Sequence, residues 1–156
     1  NVSLRNTTFL VETLAGQKGE IGKTTQEIKA LIQPFESENI GVCLDTCHIY
    51  SAGYKINKEK GFQDYKDEFD TLIGLDKIKV IHCNDSKTPF NSRKDRHEHI
   101  GKGSIGLKGF EFFLNDEYFC RLPFILETPK QGNMDIVNME KLRSLTLVSN
   151  SREKFK

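Results

Sequence analysis

Ile40-Gly41-Val42-Cys43-Leu44-Asp45 is an apolar run that ends on an acid. Three other stretches repeat the pattern: Phe9-Leu10-Val11-Glu12, Ile78-Lys79-Val80-Ile81-His82 and Phe124-Ile125-Leu126-Glu127. One strand-like run ending on an acid or a histidine is common. Four in series, separated by helical sequence, predict one site built at a single end of a parallel sheet. In barrels of alternating strands and helices, the active site sits at the C-terminal ends of the strands.

Helical sequence fills the intervals. Thr24-Thr25-Gln26-Glu27 reads as a capping box, with Thr24 as N-cap and Glu27 three residues on. Ile28, Leu31, Ile32 and Phe35 supply its apolar stripe. Asp45 leads into a short helical turn over Thr46 to Ser51, broken by Gly53. Phe62, Tyr65, Phe69, Leu72 and Ile73 mark a further amphipathic helix closed by Gly74. A polar loop is expected from Asn84 to about Ser104, then a weaker helix from Gly106 to Leu114. Pro123 opens the fourth strand, and Ile136, Met139, Leu142 and Leu145 predict a last helix. Residues 149–156 read as a solvated tail.

Successive β/α units require parallel strands joined by right-handed crossovers. Two α/β architectures satisfy that: a small open doubly wound sheet, or part of an eightfold barrel. A whole barrel takes about 250 residues. At 156 residues the chain holds roughly half of one, the last four β/α units of a partial barrel over 1–148. Asn1-Val2-Ser3-Leu4-Arg5 is neither an initiator nor a signal peptide, so the chain reads as beginning inside a longer protein.

Composition narrows the function only modestly. A net charge of +1 makes no case for nucleic acid or membrane. No apolar stretch approaches the ~20 residues of a membrane span. Lysine outnumbers arginine 17 to 6, so the bidentate contacts of base readout are not advertised. Cys43, Cys47, Cys83 and Cys120 form no CxxC pair. Cys43 and Cys83 read as buried free thiols, which places the protein in a reducing, intracellular compartment: cytoplasm, or nucleus or organelle.

Glu12, Asp45, His82 and Glu127 are good donors for one divalent metal. His48 follows Asp45 by one helical turn, which brings it towards a neighbouring ion; the plain alternative is an N-cap Asp beside an unrelated surface His. Asp95-x-His97 in extended backbone points both side chains the same way and, with His48, offers a second site. Without those partners the stretch is a solvated loop. His99 reads as a spare exposed histidine. Lys87, Arg93, Lys94, Arg96 and Lys102 outweigh Asp95 and Glu98 in this loop, a patch suited to a phosphate backbone.

Gly41-Val42-Cys43-Leu44-Asp45-Thr46-Cys47-His48-Ile49-Tyr50-Ser51-Ala52-Gly53-Tyr54 closely resembles a signature of the endonuclease IV family. Leu10 to Gln17, His82 to Lys87, Asp95 to Gly103 and Phe124 to Thr128 agree in the same order. The resemblance implies a (β/α)8 TIM barrel with three Zn2+ ions, and hydrolysis of the phosphodiester 5′ to abasic sites in double-stranded DNA, a step of base excision repair. It implies that Glu12, Asp45, His82 and Glu127 hold one zinc, and His48, Asp95 and His97 a second. Glu12 would bridge to a third zinc, whose two histidines are not in this chain. The same likeness makes Glu12 and Glu127 catalytic and turns Arg96 towards DNA phosphates.

The chain would then be the C-terminal half of such a barrel, with the N-terminal half as its missing partner and little activity alone. Two alternatives remain at this stage. A xylose-isomerase-like sugar isomerase or epimerase shares the Glu, Asp, His, Glu set but needs only a single divalent metal. A non-catalytic fragment would act only through a partner half.

Overall fold

The computed structural model describes residues 7–35 and 39–147. The tail expected over 149–156 lies outside these described residues. The four strand-like runs form one parallel sheet: β1 (Phe9–Glu12), β2 (Ile40–Asp45), β3 (Ile78–His82) and, after two further short strands, β6 (Phe124–Ile125). Their order is β1-β2-β3-β6, so every strand lies beside its predecessor of this sheet. Register brings Glu12 beside Cys43, Asp45 beside His82, and His82 beside Ile125. All four candidate strand ends therefore share one rim. The fourth strand is shorter than the run predicted: it stops at Ile125, and Glu127 lies beyond the ladder.

Between the strands lie α1 (Thr25–Ile32), α2 (Thr46–Ala52), α3 (Glu59–Leu72), α4 (Gly106–Asn115) and α5 (Met134–Leu145). Thr24 caps α1, accepting the Glu27 N–H at 3.2 Å. The Glu27 carboxylate reaches further back and accepts from Gly22 and Lys23 N–H, at 2.8 and 3.0 Å. Such a cap contributes about 1 kcal/mol. Gly53 ends α2 at φ 114°, the left-handed conformation that favours glycine. Val42, Leu44 and Ile81 of the sheet join Ile28, Phe62, Phe69, Phe110 and Phe113 of the helices in one buried cluster.

Two sequence expectations are corrected. The segment after β3 is not a plain loop: β4 (Asp85–Ser86) and β5 (His97–Glu98) pair antiparallel within it. The apolar stripe expected on α5 is only partly inward. Leu142 is buried, but Ile136 is 61% exposed and the polar Asn138 takes the core position.

Candidate metal centre

Asp45 has two duties at the junction of β2 and α2. Its Oδ1 accepts the His48 N–H at 2.9 Å as the N-cap of α2, while Oδ2 faces the other candidate ligands. The N-cap reading and the ligand reading are thus the same arrangement. That turn also buries His48 and swings its ring towards the rim.

Glu12, Asp45, His82 and Glu127 each offer a ligand atom within 4.8 Å of the others. His82 Nδ1 lies 3.1 Å from Glu12 Oε1, 3.0 Å from Glu127 Oε2 and 4.0 Å from Asp45 Oδ2. Asp45, His48 and His97 form an adjoining group by the same measure. Asp95 Oδ1 stands 3.2 Å from both His48 Nε2 and His97 Nε2. All seven candidate ligands are therefore brought together as two neighbouring sets.

Backbone carbonyls set the tautomers of two of these histidines. His48 Nδ1 lies 2.8 Å from the Thr13 carbonyl, and His97 Nδ1 lies 3.0 Å from the Glu127 carbonyl. A carbonyl only accepts, so each Nδ1 carries a proton, which leaves Nε2 as the nitrogen that can coordinate an ion. Both Nε2 atoms are buried without a hydrogen-bond partner among the described residues. Lone pairs facing a carboxylate oxygen leave a gap that a cation fits.

The charges agree with this. Burial pushes the Asp45 carboxyl up, against the lowering pull of His48 and His97. His48 is raised although burial opposes it, because Asp45 and Asp95 stand beside its ring. Hydrogen bonds with the Cys43 and Glu12 side chains push His82 up to about 11. Such a cluster favours positive charge, which a divalent ion supplies.

Arg96 lies between Asp95 and His97 with an exposed guanidinium that donates to the Asp95 carbonyl. Its own carbonyl accepts from Lys87 N–H at 2.8 Å and from the Cys47 thiol. Burial pushes that thiol up to about 11, so it remains a donor rather than a thiolate.

His99 departs from its expected place. It is not a spare exposed histidine: it is 4% exposed, with Nδ1 3.1 Å from Asn138 Nδ2. Asn138 also donates to Thr128 and accepts the Ile100 N–H, tying α5 to the segments that follow Glu127 and His97. Sequence reasoning assigned no role to Asn84 or Asp85. Asp85 is buried, and its carboxylate accepts from Ser86, Gly101, Gly103, Ile105 and Gly106 N–H groups. This knot fastens β4, and through it the His97-bearing strand, to the loop before α4. The signal was present: polar residues directly follow a buried strand.

A family model described as xylose isomerase-like TIM barrel matches residues 4–145. Similar curated proteins include one named "Probable endonuclease 4" from Persephonella marina, 72% identical over 92% of this chain and 50% of that protein. Another of that name, from Aquifex aeolicus, is 51% identical over 89% of this chain and 49% of its own length. Among solved structures, endonuclease IV from Thermus thermophilus superposes with a TM-score of 0.77 at 35% identity, covering 87% of this chain and 48% of that one. A D-tagatose 3-epimerase-like protein, at 18% identity and a TM-score of 0.67, shares the fold. The chain spans about half the length of the curated relatives it matches. It belongs to the xylose isomerase-like TIM-barrel family, and within that family to endonuclease IV.

Proposed function

We propose that this chain carries part of a zinc-dependent site that hydrolyses the phosphodiester 5′ to abasic sites in duplex DNA. One observation carries the reading: the second ligand set, with His48 Nε2 and His97 Nε2 each 3.2 Å from Asp95 Oδ1. A sugar isomerase with a single metal has no use for it. Imidazole with carboxylate suits zinc. Bound there, zinc would supply positive charge against a phosphate and lower the pKa of a water towards neutrality.

The chain's own residues have distinct parts. Asp45 is buried and holds its position through α2, so it serves both sets and meets no substrate. Glu127 is 45% exposed, the most open of the carboxylates, and is placed to orient an attacking water and take its proton. Glu12 Oε1 lies 3.1 Å from His82 Nδ1, and its partly open carboxylate would be shared with the third zinc. The exposed Arg96 guanidinium, with the lysines around it, is the group for DNA phosphates.

The described strands make about half of a barrel, and in this reading a partner half supplies the ligands of a third zinc. Four unpaired cysteines support a reducing intracellular setting. No helix among the described residues is long and apolar enough to cross a membrane. The test is incision of an abasic-site duplex by the purified chain with zinc, alone and mixed with the N-terminal half of a relative. Little incision alone and recovery on mixing are expected. A rate near that of a full-length relative without the partner half would overturn the need for it, and no incision in either mixture would overturn the activity.

A further inference from the structure

We infer that Asn84 is the positioning residue that holds the four-ligand set at its working separation; this rests on the metal-centre reading above. The sheet does not reach far enough to do so. β3 and β6 share only the pairs Ile81–Phe124 and His82–Ile125, and the last rung is Cys83 N–H to the Ile125 carbonyl at 2.7 Å. Glu127 lies two residues further, outside the ladder. Its N–H is taken by Asn84 Oδ1 at 2.8 Å, so a side chain replaces the missing rung. The other end of the same amide, Asn84 Nδ2, donates to Asp45 Oδ2 at 2.7 Å.

Asn84 is buried, and its backbone is held as well as its side chain. Its N–H donates to Thr46 Oγ1 at 2.9 Å, and its carbonyl accepts from the same hydroxyl at 2.7 Å. Thr46 is the first residue of α2, next to Asp45. One side chain therefore spans two strand ends, those bearing Asp45 and Glu127, from a position two residues past His82. The polarity is dictated: the Asp45 side needs a donor and the Glu127 side an acceptor. An amide offers both, a donor and an acceptor on separate atoms, in any protonation state. The bond to Asp45 also selects which oxygen lone pairs remain for an ion, as hydrogen-bond partners of ligating carboxylates do.

Asn84→Asp separates these roles. It keeps the size and can accept the Glu127 N–H, but sets a carboxylate against Asp45. Asn84→Leu removes both bonds. The full chain and each variant would be titrated with zinc against a competing chelator, and with Co2+ for its ligand-field spectrum. Thermal unfolding without metal would be measured alongside. Asn84→Asp is expected to weaken the four-ligand set roughly 10- to 100-fold. The Co2+ spectrum of that set should change while the set of His48, Asp95 and His97 still fills. Thr46→Ala, which removes two backbone bonds of Asn84 but neither bond of its side-chain amide, should lower stability and leave the spectrum unchanged. Metal binding and spectra in Asn84→Asp and Asn84→Leu equal to those of the unmodified chain would overturn this inference alone. A chain that binds no metal before any substitution would overturn the reading beneath it, and this inference with it.

Discussion

At the residue scale, Asp95 is the most informative side chain of the second set. Its Oδ1 stands 3.2 Å from both Nε2 atoms. Asp95→Asn keeps the shape and removes the charge. Losing a hydrogen-bond partner of a ligand already costs 10- to 100-fold in metal affinity, so losing this ligand is expected to cost roughly 100-fold or more. Metal counted per chain should fall from two to one under chelator competition; two retained ions would overturn its place in the set. The seven candidate positions could be picked out because each lies at the end of an apolar run, one helical turn past such an end, or in an x-alternating pair. His99 was misread because its partner, Asn138, comes from a helix 39 residues away. Asn84 and Asp85 follow a strand as polar residues, but that signal does not name their partners: the Asp45 carboxylate and the Glu127 N–H for Asn84, and N–H groups 16 to 21 residues on for Asp85.

At the scale of the elements, apolar stripes predicted α1, α3 and α5, and α2 and α4 were expected as a short turn and a weaker helix, while inward faces were harder to read. The α5 stripe failed at Ile136 and Met139 because the buried face must carry Asn138 to satisfy His99, Ile100 and Thr128. A polar network with partners on two loops outweighs the burial of one apolar pair, Ile136 and Met139, which stays 61% and 37% exposed. The two kinds of position on one helix should respond differently. Leu142, 5% exposed, is expected to lose about 2–4 kcal/mol on replacement by Ala. Ile136→Lys should change stability by less than about 0.5 kcal/mol, as surface substitutions do. Urea denaturation of the two variants checks this, and similar losses in both would mean that Ile136 is covered. The stop of β6 at Ile125 was equally invisible from sequence, since Leu126-Glu127 continues the strand-like run.

At the scale of the whole molecule, the parallel sheet formed by the described residues has two edges, β1 and β6. In a closed barrel each strand has a neighbour on both sides, and closure alone removes the edges. Here Phe9 of β1 is 59% exposed and Ile125 of β6 is 46% exposed. Unpaired backbone N–H and C=O groups beside exposed apolar side chains recruit further strands. The isolated chain is therefore expected to self-associate at micromolar concentration, with an apparent mass that rises with concentration in sedimentation. Phe9→Lys with Ile125→Lys should reduce that association, because lysine on an edge strand opposes pairing. The four-ligand set should still bind metal in this variant, since neither substituted side chain is one of its ligands. Adding the complementary half of a relative should compete with self-association and yield one species of defined mass. A chain that stays monomeric at all concentrations, and that ignores the added half, would show that these edges are not pairing surfaces.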